Sequence, residues 1–299
     1  MCKCTKKYTI TQFRKDYPDD SACLDKIFQL RYSELKVCPK CSKETTFRRV
    51  PTRQCYQCTK CYYQIYPCAG TPLEGTKTSL LVWFYVIYLF TASKNGISAY
   101  EVQRQIGGSY KTSWRMLKQI RILTTDNDES MFSGIIEIDE TFVGGKNKNR
   151  HKDKKVKKSQ GRSFKDKTPI LGFVDRASNR VKTFVIDNTQ RSTIQPIIKQ
   201  YIQKGSTLMT DEWTAYRGLN SDYDHNYVDH SKGIYSVDDI TSNRVENLWS
   251  VLKRTINGSY IHVSAKYLQL YANEVAFRQN YRNSEIPIFD CLLNHLRFS

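Results

Sequence analysis

Apolar residues are spaced in two different ways along this chain, and the change falls near residue 125. Before it they recur at helical intervals or in one block: Phe13, Cys23, Ile27, Phe28 and Leu30 surround the capping candidates Asp19, Asp20 and Ser21, and residues 80–90 (LLVWFYVIYLF) are apolar throughout. In "SKNGISAYEVQRQIGGSYKTSWRMLKQIRIL", Ser98 is placed to cap a helix running to about Gln105, and Gly107 and Gly108 break it. Ser109 or Thr112 then starts a second helix carrying Trp114, Leu117, Ile120 and Ile122. Helix, glycine turn and helix is the layout of a helix-turn-helix unit, in which Tyr110, Lys111, Thr112, Ser113 and Arg115 face a DNA groove. A plain helical hairpin between two domains has the same pattern.

After the polar link "TTDNDES" at 124–130 the pattern turns to short β-rich runs. "SGIIEID" predicts a strand ending at Asp139, "PILGFVDR" a second and "RVKTFVID" a third, followed by a helix over 192–203 and a strand "STLMTD" ending at Asp211. A helix starting near Asp211, a short strand around "HNYVDH" and a long helix from about 241 to 255 complete the order. Three strands, a helix, a further strand and a closing helix is the order of a ribonuclease H-like fold.

Charge adds a partner to this picture. The 299 residues hold 47 Lys and Arg against 29 Asp and Glu, a net +18, and residues 146–167 alone carry 11 basic and 2 acidic side chains. Charge so concentrated gains by releasing the counterions of a polyanion, which makes nucleic acid the leading partner and an anionic membrane the second. Lys146, Lys148, Lys154 and Lys155 of that run are candidate phosphate contacts. The apolar block of eleven residues is too short to span a bilayer, which takes about 20. "MCKCTKKYTITQF" has no apolar core of a secretory signal, so a cytoplasmic protein, nucleoid-associated when on DNA, is expected.

Nine of the ten cysteines lie in the first 70 residues, a distribution that points to metal rather than disulfides. "CPKC" (Cys38, Cys41) and "CTKC" (Cys58, Cys61) are two knuckles with sixteen residues between them, the spacing of a structural zinc ribbon. Cys55-x-x-Cys58 is an equally good knuckle on spacing alone, Cys68 is a spare thiol, and Cys2 and Cys4 are assigned no role. The chain is thus expected to be multidomain, of α+β and α/β content. Residues 1–70 form a helical lead-in and zinc ribbon, 71–125 a helix-turn-helix-like segment, and 126–299 a ribonuclease H-like domain with a basic insertion at 146–167.

Carboxylates supply the candidate chemistry. Asp139 and Asp211 end strands, where side chains converge at a sheet edge, and Glu246 lies on the late helix with 34 residues between it and Asp211. Three acids so placed suit two magnesium ions, with manganese able to substitute, because hard oxygen ligands hold the ions while a phosphate bridges them. Lys253 and Arg254 are placed to touch phosphate or to form a solvated helix face, and His230 and His262 to line the site or to be structural. Gly144 and Gly145 let the chain turn out of the first strand, Trp213, Tyr216 and Trp249 pack, and Asp175, Asp238 and Asp239 are reserve acids.

Taken together, "CPKC", "YQCTKC", "GISAYEVQRQIGGSYKTSWRML", "EIDETFVGGKNKNRH", "KTPILGFVDR", "TDEWTAYRGL" and "NRVENLWSVLKRTINGSYIHVSAKYLQLYANEVAFRQNYR" resemble the DDE insertion-sequence transposases with an amino-terminal zinc ribbon, relatives of the eukaryotic Merlin elements, from about residue 8 to 283. The resemblance implies DNA cleavage and strand transfer on double-stranded DNA, at terminal inverted repeats and target, by a homodimer or larger assembly. It implies Asp139, Asp211 and Glu246 as the catalytic triad and Cys38, Cys41, Cys58 and Cys61 as zinc ligands. Ser42 stands where such proteins usually have glycine. A regulator that binds DNA without cutting it, and a ribonuclease H-like nuclease that cuts without joining, are the alternatives.

Overall fold

The computed structural model describes residues 8–144, 151–155, 167–211, 213–228 and 243–297. They fall into two compact units, Met1–Thr124 with Arg282–Ser299, and Thr125–Tyr281.

In the first unit, α1 (Ile10–Asp16) begins with a capping box: Gln12 N donates to Thr9 Oγ1 and Thr9 N to Gln12 Oε1. Asp19 caps α2 (Asp20–Tyr32) by accepting from Ala22 N. Phe28 of α2 stacks on Tyr56 with ring centroids 3.8 Å apart, and the Tyr56 hydroxyl donates to Asp25, so the lead-in helix packs on the cysteine-bearing sheet. That sheet is antiparallel, in the order β1 (Phe47–Val50), β2 (Cys55–Cys58), β3 (Gln64–Ile65). The apolar block forms α3 (Leu80–Ala92), which buries Trp83, Phe84, Val86, Ile87 and Phe90.

Next, α4 (Ala99–Ile106) is capped by Ser98 and α5 (Tyr110–Leu123) by Ser109, with Gly107 and Gly108 between them at φ 74° and 75°. A side chain is disfavoured at such angles, which is why glycine stops α4. The inward stripe of α5 is Ser113, Met116, Leu117, Ile120 and Leu123. The three-to-four spacing from Leu117 puts Ser113 on that stripe, buried, so it does not face a groove, and leaves Ile122 exposed rather than packed. Lys111 and Arg115 are exposed and Thr112 is half-buried.

The second unit is a five-stranded sheet in the order β6-β5-β4-β7-β8, formed by β4 (Ile135–Val143), β5 (Thr168–Asp175), β6 (Val181–Val185), β7 (Thr207–Asp211) and β8 (Asp224–Val228). β4, β5 and β6 are antiparallel neighbours, while β7 runs parallel to β4 and β8 parallel to β7. α6 (Arg191–Tyr201) covers one face over Ile136, Ile138, Leu171 and Phe173. α7 (Asn243–Thr255) and α8 (Leu268–Asn280) cover the other over Ile170, Val174 and Val181. α7 continues into one π-helical turn, Ile256–Tyr260.

β4 does not end at Asp139 but runs on to Val143, because its alternation continues past the acids: Thr141 is buried opposite Ile170, and Val143 packs on the α7 face. In place of a helix near Asp211 the chain makes two 3-10 turns, Thr214–Tyr216 and Leu219–Ser221, parted by Gly218 at φ 85°.

After α8 the chain returns to the first unit. In α9 (Ile288–Asn294), Phe289 lies against the rings of Phe13, Tyr17 and Phe84, so 282–299 belongs there and not with the strands as the division at 126 had it. Among the described residues no helix is long and apolar enough to cross a membrane.

Candidate active site and metal centre

Cys38, Cys41, Cys58 and Cys61 bring four sulfurs within 4.8 Å of one another, with Cys38 and Cys61 Sγ 3.6 Å apart. Sulfurs about 2.3 Å from a tetrahedral zinc ion lie about 3.8 Å from each other, so the group fits zinc. Cys55 stands at the other end of β2, opposite Val50, and neither it nor Cys68 joins the group. The two knuckles close alike: Ser42 N donates to Cys38 O and Tyr62 N to Cys58 O, with Ser42 and Tyr62 at φ 54° and 61°. Burial pushes the Cys58 thiol up, but hydrogen bonds from Thr45 and from the backbone at Cys61 and Lys60 bring it down to about 6, toward the thiolate that a metal needs.

The acids meet where two strands part. Pairing of β4 with β7 stops at Glu137 and Met209, and Asp139 and Asp211 each stand two residues beyond that point. There the carboxylates of Asp139, Glu140 and Asp211 come within 4.8 Å of one another. Burial, then the negative charge of Asp211 and more weakly that of Glu246, push Asp139 up to about 7. Carboxylates crowded until one holds a proton near neutrality are a donor set suited to a hard divalent cation, which would replace that proton. Glu246 lies exposed in the first turn of α7, near enough for its charge to act on Asp139 but outside the close trio. Glu140, the neighbour of Asp139 on β4 and not among the acids singled out from the sequence, is inside it. Beside it Tyr216 is wholly buried, and that burial, with the charges of Glu140, Asp139 and Asp211, keeps its phenol protonated.

Three further residues fix this geometry, and the sequence singled out only one of them, as packing. Trp249 Nε1 donates to Asp139 Oδ2 at 3.0 Å. Its ring lies over Gly172, which is paired with Asp139 across β4 and β5; a Cβ there would sit 2.5 Å from Trp249 Cη2. Glu137, 1 % exposed, joins the sheet to α7. Its Oε2 accepts from the backbone N–H of Arg244 (2.8 Å) and Val245 (3.1 Å), and its Oε1 pairs with Arg176 Nε at 2.8 Å. An anion at a helix N-terminus satisfies orphan donors and the helix dipole together, so Glu137 sets where α7, and hence Glu246 and Trp249, begins.

Of the remaining candidates, Lys253 and His262 line a groove at the end of β4. Arg254 is exposed and donates to Ser250, and Lys155 is exposed. Asp175 accepts from Ala177 N and Ser178 N in a turn. Trp213 Nε1 donates to Thr189 O. Lys146, Lys148, His230, Asp238, Asp239, Gly145 and the side chain of Lys154 lie outside the described residues.

Residues 131–280 match the family model described as the ISXO2-like transposase domain, and residues 18–64 the one described as the transposase zinc-ribbon domain. An "uncharacterized transposase-like protein" of Haemophilus influenzae is 30% identical over 118 residues, which are 39% of this chain and 93% of that protein. A chain in the solved complex of the simian T-cell lymphotropic virus intasome with the PP2A regulatory subunit B56 gamma is 13% identical. That match covers 62% of this chain and 66% of the other at a TM-score of 0.29, a likeness too slight to carry any argument.

Proposed function

Because the chain belongs to the ISXO2-like transposase family, we propose that it is the transposase of an insertion sequence, which binds double-stranded DNA at the element's terminal inverted repeats and cuts and joins it at Asp139, Asp211 and Glu246. The observation that carries this reading is the meeting of Asp139, Glu140 and Asp211 within 4.8 Å where β4 and β7 part, inside the matched segment. The mixed sheet with helices on both faces supports a ribonuclease H-like catalytic domain.

Two magnesium ions, when bound, supply the positive charge that activates an attacking water or 3′ hydroxyl and stabilises the leaving oxygen. The chain's own part is to hold and orient. Asp139 and Asp211 present oxygens from the sheet and Glu246 from α7, Trp249 fixes one oxygen of Asp139, and Glu137 fixes the start of α7. The zinc-loaded ribbon and the exposed Lys111 and Arg115, with Thr112, engage the element ends, and the basic insertion lies along phosphates without reading sequence. Two or more copies act together on the paired element ends.

The test is a magnesium-dependent reaction on DNA carrying the element's own ends. Asp139→Asn, Asp211→Asn and Glu246→Gln are each expected to lose cleavage and joining by about a thousandfold or more while still binding DNA, with losses that do not add. Glu140→Gln is included because of its position. If it is dead while Glu246→Gln is near normal, the third ligand is Glu140. Nicks without joined product identify a nuclease, and full activity in all four variants overturns the reading.

A further inference from the structure

Past the acids, β4 runs into a groove of about 610 Å³ lined by Val143, Gly144, Lys167, Lys253, Asn257 and His262. Its rim is the segment that follows α7, and two anomalies of backbone coincide there. α7 ends in a π-helical turn, Ile256–Tyr260, a form that occurs mostly as single turns and is frequent at functional sites. The next residue, Ile261, has φ 63° and ψ −50° and is 80 % exposed. A β-branched side chain is an outlier at positive φ, and strain of this kind collects where it serves a ligand. Because Ile261 stands in the open, packing within the described residues does not offset the strain.

The chemistry of the rim narrows the ligand. Lys167 and Lys253 favour phosphate, whereas an exposed isoleucine gains only from an apolar surface such as the face of a base. The two side by side suit a nucleic-acid strand whose backbone lies in the groove and whose bases are parted, since DNA-bending proteins set apolar wedges among cationic contacts for that purpose. We propose that this groove is a DNA-strand subsite in which Lys167 and Lys253 take phosphates and Ile261 is inserted between two base pairs next to the cleavage position, unstacking them as the strand passes toward Asp139 and Asp211. The inference rests on the transposase reading for the identity of the strand.

Two duplexes test it, both carrying the element's end with 2-aminopurine at the steps flanking the cleavage position, one fully paired and the other mismatched there. On the paired duplex, binding of the wild-type protein should raise 2-aminopurine fluorescence severalfold. Ile261→Gly should lose that rise and cleave the paired duplex on the order of tenfold more slowly, as expected for one lost base contact, yet cleave the mismatched duplex at the wild-type rate. Its Tm should be no lower than that of the wild type, because glycine accepts positive φ without strain. Lys253→Gln should reduce the slope of log affinity against log salt by about one. An Ile261→Gly protein that unstacks and cleaves the paired duplex like the wild type overturns the proposal, and so does an equal loss on both duplexes. Failure of the transposase reading looks different: the wild type then cleaves neither duplex, while the fluorescence arm, which needs binding alone, still decides the role of Ile261.

Discussion

The cysteine cluster and the acid cluster are assembled by opposite means. In the ribbon each knuckle is a local turn, its backbone N–H groups already directed at the chain that bears the sulfurs, and a small three-stranded sheet with α2 packed on it stands behind. At the acid centre the close carboxylates come from β4 and β7, far apart in sequence, and repel one another. They are held together by a sheet with a core on each face and by the contact of Glu137 with α7. The first cluster is therefore expected to need an ion for its fold, and the second to be folded without one, with Asp139 pushed toward holding a proton near neutrality.

Removing one cysteine from the ribbon and one acid from the sheet should have the largest effects. Cys38→Ser or Cys61→Ser should release about one zinc per chain and forfeit on the order of 10 kcal/mol of metal-linked folding free energy in the ribbon. Metal analysis and limited proteolysis would show this, with the Thr125–Tyr281 unit left folded. A ribbon that resists protease without metal would end the contrast. Glu137→Ala probes the opposite kind of assembly: a buried acid paired with Arg176 and capping α7 is removed, at a cost of about 3–5 kcal/mol in urea unfolding and with a higher magnesium requirement for cleavage. A variant as stable as the wild type would show that α7 is placed by packing alone.

A third measurement follows the proton on Asp139. Its pKa in the folded chain, about 7, lies above the ordinary 3.8, so the stability linked to it is complete below pH 3.8 and is lost as pH rises through 7. Without magnesium, Tm should therefore fall across pH 4 to 7, by on the order of 4 kcal/mol of stability at most. Magnesium or Asp139→Asn should flatten the fall; an unchanged slope in Asp139→Asn would assign the proton elsewhere. The smallest effect is Ser42→Gly in the ribbon, expected to add roughly 0.5–1 kcal/mol because φ 54° suits glycine. Denaturation of the zinc-loaded protein measures it, and a loss of stability would show that the Ser42 side chain is needed there.

Sequence disclosed what is local. The knuckle cysteines, the caps Ser98 and Ser109 and the paired glycines between α4 and α5 are read from neighbouring residues, and the structure keeps them. Period alone overreached at Ile122 and Ser113, where one step around α5 separates inside from outside. It also stopped β4 early, since acids in a strand look like its end when the α7 that faces them is more than a hundred residues away. Glu137 was passed over for the same reason. Nothing near it in the chain announces Arg176 or the amides of Arg244 and Val245.

The return of α9 to the first unit has a consequence for synthesis. Emerging from the ribosome, that unit lacks the buried Phe289, Leu292 and Leu293, and the rings of Phe13, Tyr17 and Phe84 await Phe289 until all of Thr125–Tyr281 has been translated. Domains ordinarily fold in the order in which they are made. Here the sheet with its acids can close on the nascent chain while the unit bearing α4 and α5 is still waiting for its last helix, so the cysteine-bearing unit is completed after the acid-bearing one.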